Sequence, residues 1–170
     1  MEVSRKTVAA LVTLGACARL APHPWNFTPM MAIGLYAGAK SAKLRTGIFA
    51  TLLTLLVSDA LLGFYGGMWY VYAASLVPVL IGRFLCRGNE AAFIAGGAVC
   101  ASLSFFVTTN FMVWASGDLY PHTAAGLAAC FAAGVPFYRN QVLGDAFYTV
   151  ALFGGHSLIQ RLMQLSTRTA

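Results

Sequence analysis

The chain has 170 residues, of which 59% are hydrophobic and only 9% charged, with a net charge of +6. A soluble domain carries about a quarter charged residues, so this composition excludes a soluble enzyme or nucleic-acid-binding domain and predicts an integral membrane protein. The basic excess then bears on orientation in the bilayer rather than on nucleic acid.

Apolar runs separated by polar breaks predict six membrane segments within a single domain spanning residues 1–170. The first covers about 7–21 and ends at Pro22-His23-Pro24. Arg5-Lys6, the apolar run and Leu14-Gly15-Ala16-Cys17 imitate a lipoprotein signal, but the polytopic chain that follows favours a retained helix. The second starts at Thr28-Pro29, a cap residue followed by proline at the first helical position, and runs to about Ala39. Its 11–13 residues reach only about 20 Å against a bilayer core of about 30 Å. It must tilt, thin the bilayer or sit beside a depression. The third is 46–62, the fourth 69–86, the fifth 91–114 and the last 145–162. Between the last two, Ala124–Gly134 reads as a short extra helix stopped by Val135-Pro136, with an ordinary seventh span through this region (119–135) as the alternative.

Nine of the eleven basic residues fall on one side of this arrangement: Arg5, Lys6, Lys40, Lys43, Arg45, Arg83, Arg87, Arg161 and Arg168. The positive-inside rule makes that side, with both termini, cytoplasmic. The opposite connections collect the chemistry. The first holds Arg19, His23, Trp25 and Asn26. The second holds Asp59, Tyr65, Trp69, Tyr70 and Tyr72. The third holds Asn110, Trp114, Asp118, Tyr120, His122, Arg139, Asn140 and Asp145. Asp59 stands out as the lone charge of the apolar stretch 46–62, because a carboxylate at bilayer depth faces a cavity or a partner.

Aromatic walls with a few convergent polar groups suit a small-molecule pocket. The candidate ligand-binding residues are Arg19, His23, Trp25, Asn26, Asp59, Trp69, Tyr72, Asn110, Trp114, Arg139 and Asn140. Part of this set has a structural alternative, since Trp and Tyr anchor membrane interfaces and Arg19–Asp59 or Arg139–Asp145 can pair for stability. Cys17, Cys86, Cys100 and Cys130 stand far apart and read as packing residues. The histidines lack ligand spacing, so neither metal nor cofactor is expected. No catalytic motif occurs, and an enzyme is not expected.

Pro22-His23-Pro24-Trp25-Asn26-Phe27-Thr28-Pro29, Ser58-Asp59-Ala60-Leu61-Leu62-Gly63-Phe64-Tyr65, Thr109-Asn110-Phe111-Met112-Val113-Trp114 and Pro136-Phe137-Tyr138-Arg139-Asn140 resemble an uncharacterised bacterial membrane family, a domain of unknown function. More distantly, the architecture is similar to the S components of energy-coupling-factor (ECF) vitamin transporters. A Pro…Asn…Gly-Asp pattern before the last span fits Pro136, Asn140, Gly144 and Asp145. That resemblance implies six transmembrane helices, an outward pocket, location in the bacterial inner membrane, and uptake driven by a separate coupling subunit with ATPases. The ligand it implies is vitamin-like. The solitary cobalamin S components come nearest, which matches His23, Asp59 and Arg139 to their first-loop His, second-loop Asp and the Arg before the last helix. The chain departs from them in having no cysteine beside the second outer loop, and Ala9, Thr13 and Cys17 in place of an Ala-xxx-Ala docking stripe. The expected function is therefore substrate binding for membrane transport. The alternatives are a non-transport scaffold or assembly factor whose polar cluster is structural, and a membrane-embedded enzyme acting on a lipid or cofactor.

Overall fold

The computed structural model describes residues 4–88 and 90–168; the side chain of Arg168, counted above among the inner charges, lies outside the described part. The described residues form helices and connections, with no strand among them. In chain order these are α1 (Arg5–Leu20), α2 (Met30–Lys40), α3 (Leu44–Leu62), α4 (Met68–Ala74), α5 (Val77–Leu85), α6 (Ala91–Ser116) and α7 (Ala124–Thr149). A π-helical turn (Val150–Gly154) then leads into α8 (Gly155–Arg168). Four stretches are long and apolar enough to cross a membrane: Leu44–Leu62, Met68–Leu85, Ala91–Ser116 and Ala124–Thr167. This is the signature of a membrane protein.

Local sequence explains most boundaries. Ser4 and Thr7 cap α1 reciprocally, each hydroxyl accepting from the other residue's N–H. Thr123 caps α7 by accepting from the Gly126 N–H at 3.1 Å. Within the fourth predicted span, Ser75 and Leu76 form a turn between α4 and α5. Pro78 sits at the start of α5 and has no N–H for the carbonyl one turn back.

Two expectations are corrected. Val135-Pro136 does not stop a helix: Pro136 lies inside α7, and the chain stays helical from Ala124 to Arg168 through the π turn. The short extra helix and the separate last span at 145–162 are one rod. Its 44 residues from Ala124 to Thr167 extend about 66 Å, more than twice a bilayer core. Second, α2 begins at Met30, with Pro29 at the cap and no side-chain capping bond, so Thr28 caps nothing. The second segment is short as expected, at 11 residues, and it is interior: every residue from Met30 to Ala39 is buried.

Glycines permit that enclosure. A Cβ at Gly38 of α2 would lie 2.0 Å from the Val79 carbonyl oxygen of α5, and one at Gly82 of α5 would lie 2.0 Å from the Leu35 carbonyl oxygen of α2. The two backbones touch, as small residues allow between membrane helices. Around α2, Leu11 of α1, Ala50 of α3 and Phe153 of the π turn complete one apolar cluster. Tyr36 of α2 bonds the His156 ring of α8 at 2.8 Å, tying the centre to the final helix.

Candidate small-molecule site

The loops 21–29, 63–67 and 117–123 gather at one end of the bundle, where α2 begins. A turn closed by the Phe27 N–H donating to the Pro24 carbonyl reverses the chain there. It is completed by Asn26 at φ +62°, a left-handed conformation that Asn tolerates better than most residues. This brings Asn26 and Thr28 over the N-terminal end of α2.

Beneath them lies a cavity of about 290 Å³. Its apolar lining includes Met30, Met31, Leu55 and Phe105; its polar lining includes Arg19, Asn26, Tyr65, Tyr70, Thr109, Gln141 and Asp145. The cavity lies at the N-terminal end of α2, whose Met30 and Met31 line it. A smaller cavity of about 140 Å³ adjoins, lined by Asn26, Thr109, Asn110, Gly134 and Gln141 among others.

Arg19 is held from behind. Its Nη2 lies 2.7 Å from Asp59 Oδ1, and its Nη1 donates to the Ser58 hydroxyl. Asp59 also accepts from the Tyr72 hydroxyl at 2.8 Å. Asp59 is 1% exposed, so the carboxylate serves to fix the arginine, and the guanidinium is what the cavity meets. Burial first, and the adjacent Asp59 charge second, push the Tyr65 phenol above its ordinary pKa. Tyr65 is therefore a neutral hydrogen-bonding group at physiological pH.

On the far wall, Gln141 donates to the Ser102 carbonyl at 2.9 Å, and Ser102 donates to Asp145 Oδ2. Gln141 and Asp145 are one turn apart on α7, so both point to the same side.

The structure distributes the predicted residues unevenly. Arg19 and Asn26 line the main cavity, with Asp59 and Tyr72 directly behind. Asn110 lines the smaller cavity and donates to its own helix at the Phe106 carbonyl. Trp69 lines a neighbouring depression of about 360 Å³ that shares Tyr70 and Val113 with the main cavity. Trp114 donates to the Pro121 carbonyl, and Trp25 is exposed with its ring edge-on to Phe137. His23 bonds the Pro24 and Arg19 carbonyls. Arg139 is exposed and Asn140 half-buried, and neither is brought to a cavity with Arg19. Tyr65, Tyr70, Thr109, Gln141 and Asp145 line the main cavity without having been singled out as ligand-binding residues. For Gln141 and Asp145, the signal lay in their four-residue spacing. All four cysteines are free thiols. Among the described residues, no three His, Cys, Asp or Glu side chains gather as a metal site.

No curated protein and no solved structure matches the chain. The sequence model of a family of unknown function, DUF6580, matches residues 2–166, and the chain belongs to that family.

Proposed function

We propose that this protein captures a small polar molecule at the loop end of its helical bundle and serves its uptake across the bacterial inner membrane, in the manner of an ECF S component. The observation that carries the reading is the cavity itself. Polar groups from α1, α6, α7 and two loops converge with an apolar lining, the composition of a ligand site. The loop end faces outward and both termini lie in the cytoplasm, by the distribution of basic residues. On this reading α1 and α2 are membrane-embedded with the four longer stretches, giving six segments.

The lining suggests the ligand's character. Arg19 and the positive end of the α2 dipole favour an anionic or carbonyl group on one side. Asp145 and Gln141 favour a donor on the other. About 290 Å³ is at the low end of ligand sites, which run from about 300 to 1,000 Å³. That volume suits a one- or two-ring vitamin-like molecule and disfavours a corrin macrocycle, so the cobalamin option is the weaker one. Release inward follows docking to a coupling subunit with ATPases, whose binding must favour the ligand-free state.

The test is mass spectrometry of small molecules that co-purify with the protein, followed by thermal unfolding with each. A compound that raises the unfolding temperature of the wild type, and fails to do so when Thr109→Trp fills the cavity, supports the reading. A protein that carries nothing and is shifted by no vitamin overturns it. The Arg19–Asp59 pair favours one competing reading, a scaffold or assembly factor whose polar cluster is structural. That reading predicts loss of stability in Asp59→Asn with no ligand to lose.

A further inference from the structure

A further, larger cavity lies between α6 and α7. Ala91, Ala95 and Ala98 give the first half of α6 a low face, and opposite it run Val142 and Ala146 of α7 and Val150 and Phe153 of the π turn. The wide turn moves the helix axis locally, a feature that recurs at functional sites. The result is a groove of about 520 Å³, apolar along its length, with Ser102, Asp145 and Thr149 as its only strongly polar floor besides Ser157 near its end.

That floor is under-satisfied. Asp145 is 2% exposed and Thr149 5%. Ser102 donates to one carboxyl oxygen. The Gln141 side chain also faces the carboxyl, but the other oxygen and the Thr149 hydroxyl have no hydrogen-bond partner of good geometry among the described residues. Asp145 has no ion-pair partner among the described residues either. A buried polar atom without a partner costs about 1–3 kcal/mol, and more when charged. Two such atoms at the bottom of one apolar groove define what would complete it: a donor, preferably cationic, on a long apolar body.

We propose that this groove binds a membrane-dissolved long-chain amine, its chain lying between α6 and α7 and its ammonium group reaching Asp145 and Thr149. Bulk acyl chains bring no donor. Anionic head groups bring acceptors to a carboxyl that lacks a donor. The groove shares Asp145 with the loop-end cavity, so a substitution at Ala95, which lines the groove alone, is what separates its test from the uptake reading.

The probe is dodecylamine, added to the protein in phosphatidylcholine nanodiscs, with dodecanoate of equal chain length as comparison. Dodecylamine raises the unfolding temperature saturably, and dodecanoate does not. Asp145→Asn weakens the amine effect roughly tenfold, as expected for losing one charge-assisted hydrogen bond. Ala95→Trp, at an exposed position, fills the groove and abolishes the amine-dependent shift, measured against that variant's own ligand-free unfolding temperature. It carries the test should Asp145→Asn fail to fold. Equal stabilisation by dodecanoate, an undiminished response in Ala95→Trp, or cross-linking of Ala95→Cys to a second copy across the groove would each overturn the proposal.

Discussion

Arg19 of α1 and Asp59 of α3 form one buried ion pair at 2.7 Å, with Tyr72 of α4 completing the carboxylate's bonding. Removing one member of such a pair strands the other, which costs about 3–5 kcal/mol. Since Arg19 retains 14% exposure, Asp59→Asn should fall at the lower end of that range. Replacing both, as Arg19→Met with Asp59→Leu, should recover most of the loss. Thermal unfolding of the three variants in one detergent checks this, and a double variant no better than the single would contradict it.

The contact between α2 and α5 predicts opposite outcomes at two glycines. Gly38→Ala places a methyl group against the Val79 carbonyl and should cost at least about 1–3 kcal/mol, the usual penalty for overpacking. Gly96→Ala, in the second turn of α6 with nothing within 4 Å of the added methyl, should stabilise by about 0.5–1 kcal/mol through helix propensity. Equal effects at the two sites would refute the close approach of the backbones.

Tyr65 gives a pH dependence with a definite sign. Its phenol is held above the ordinary value, chiefly by burial, so the folded state binds the proton more tightly than the unfolded one. The contribution is fully present below about pH 10, the ordinary tyrosine value, and is lost as pH rises through the folded-state value. Wild-type stability should stay level from pH 7 to about 9 with respect to this group and decline above about 10. Tyr65→Phe should decline less steeply, and identical alkaline curves would exclude the effect.

Pro136 denies its helix one backbone hydrogen bond at an exposed position. Membrane helices tolerate this because neighbouring groups satisfy the freed carbonyl, yet the bond remains absent. Pro136→Ala should therefore raise the unfolding temperature. A fall would mean that the proline's effect on helix shape outweighs the missing bond.

The same proline marks the limit of what could be read from sequence. Helix starts at Ser4 and Thr123 follow from side chains that bond the next turn, and the apolar runs located α3 and α6 to within about two residues. Reading Pro136 as a stop placed Arg139 and Asn140 in a loop, free to turn toward the pocket. In an unbroken helix the phase is fixed instead. Cys130, Gly134, Gln141, Asp145 and Thr149 share the buried stripe, and Arg139, two residues from Gln141, lies about 200° around the axis. Asp59 was found because a charge in an apolar run is conspicuous. Its role as the arginine's anchor was not legible, because that depends on which helices adjoin.

The enclosure of α2 sets an order of events during synthesis. Eleven residues long and covered on every side, this helix has no lipid-facing surface to hold it in place as it leaves the ribosome. Its closest support, the backbone of α5 at Val79 and Gly82, is translated some forty residues later. Until then α2 waits, and a chain truncated before Val77 has no means of seating it.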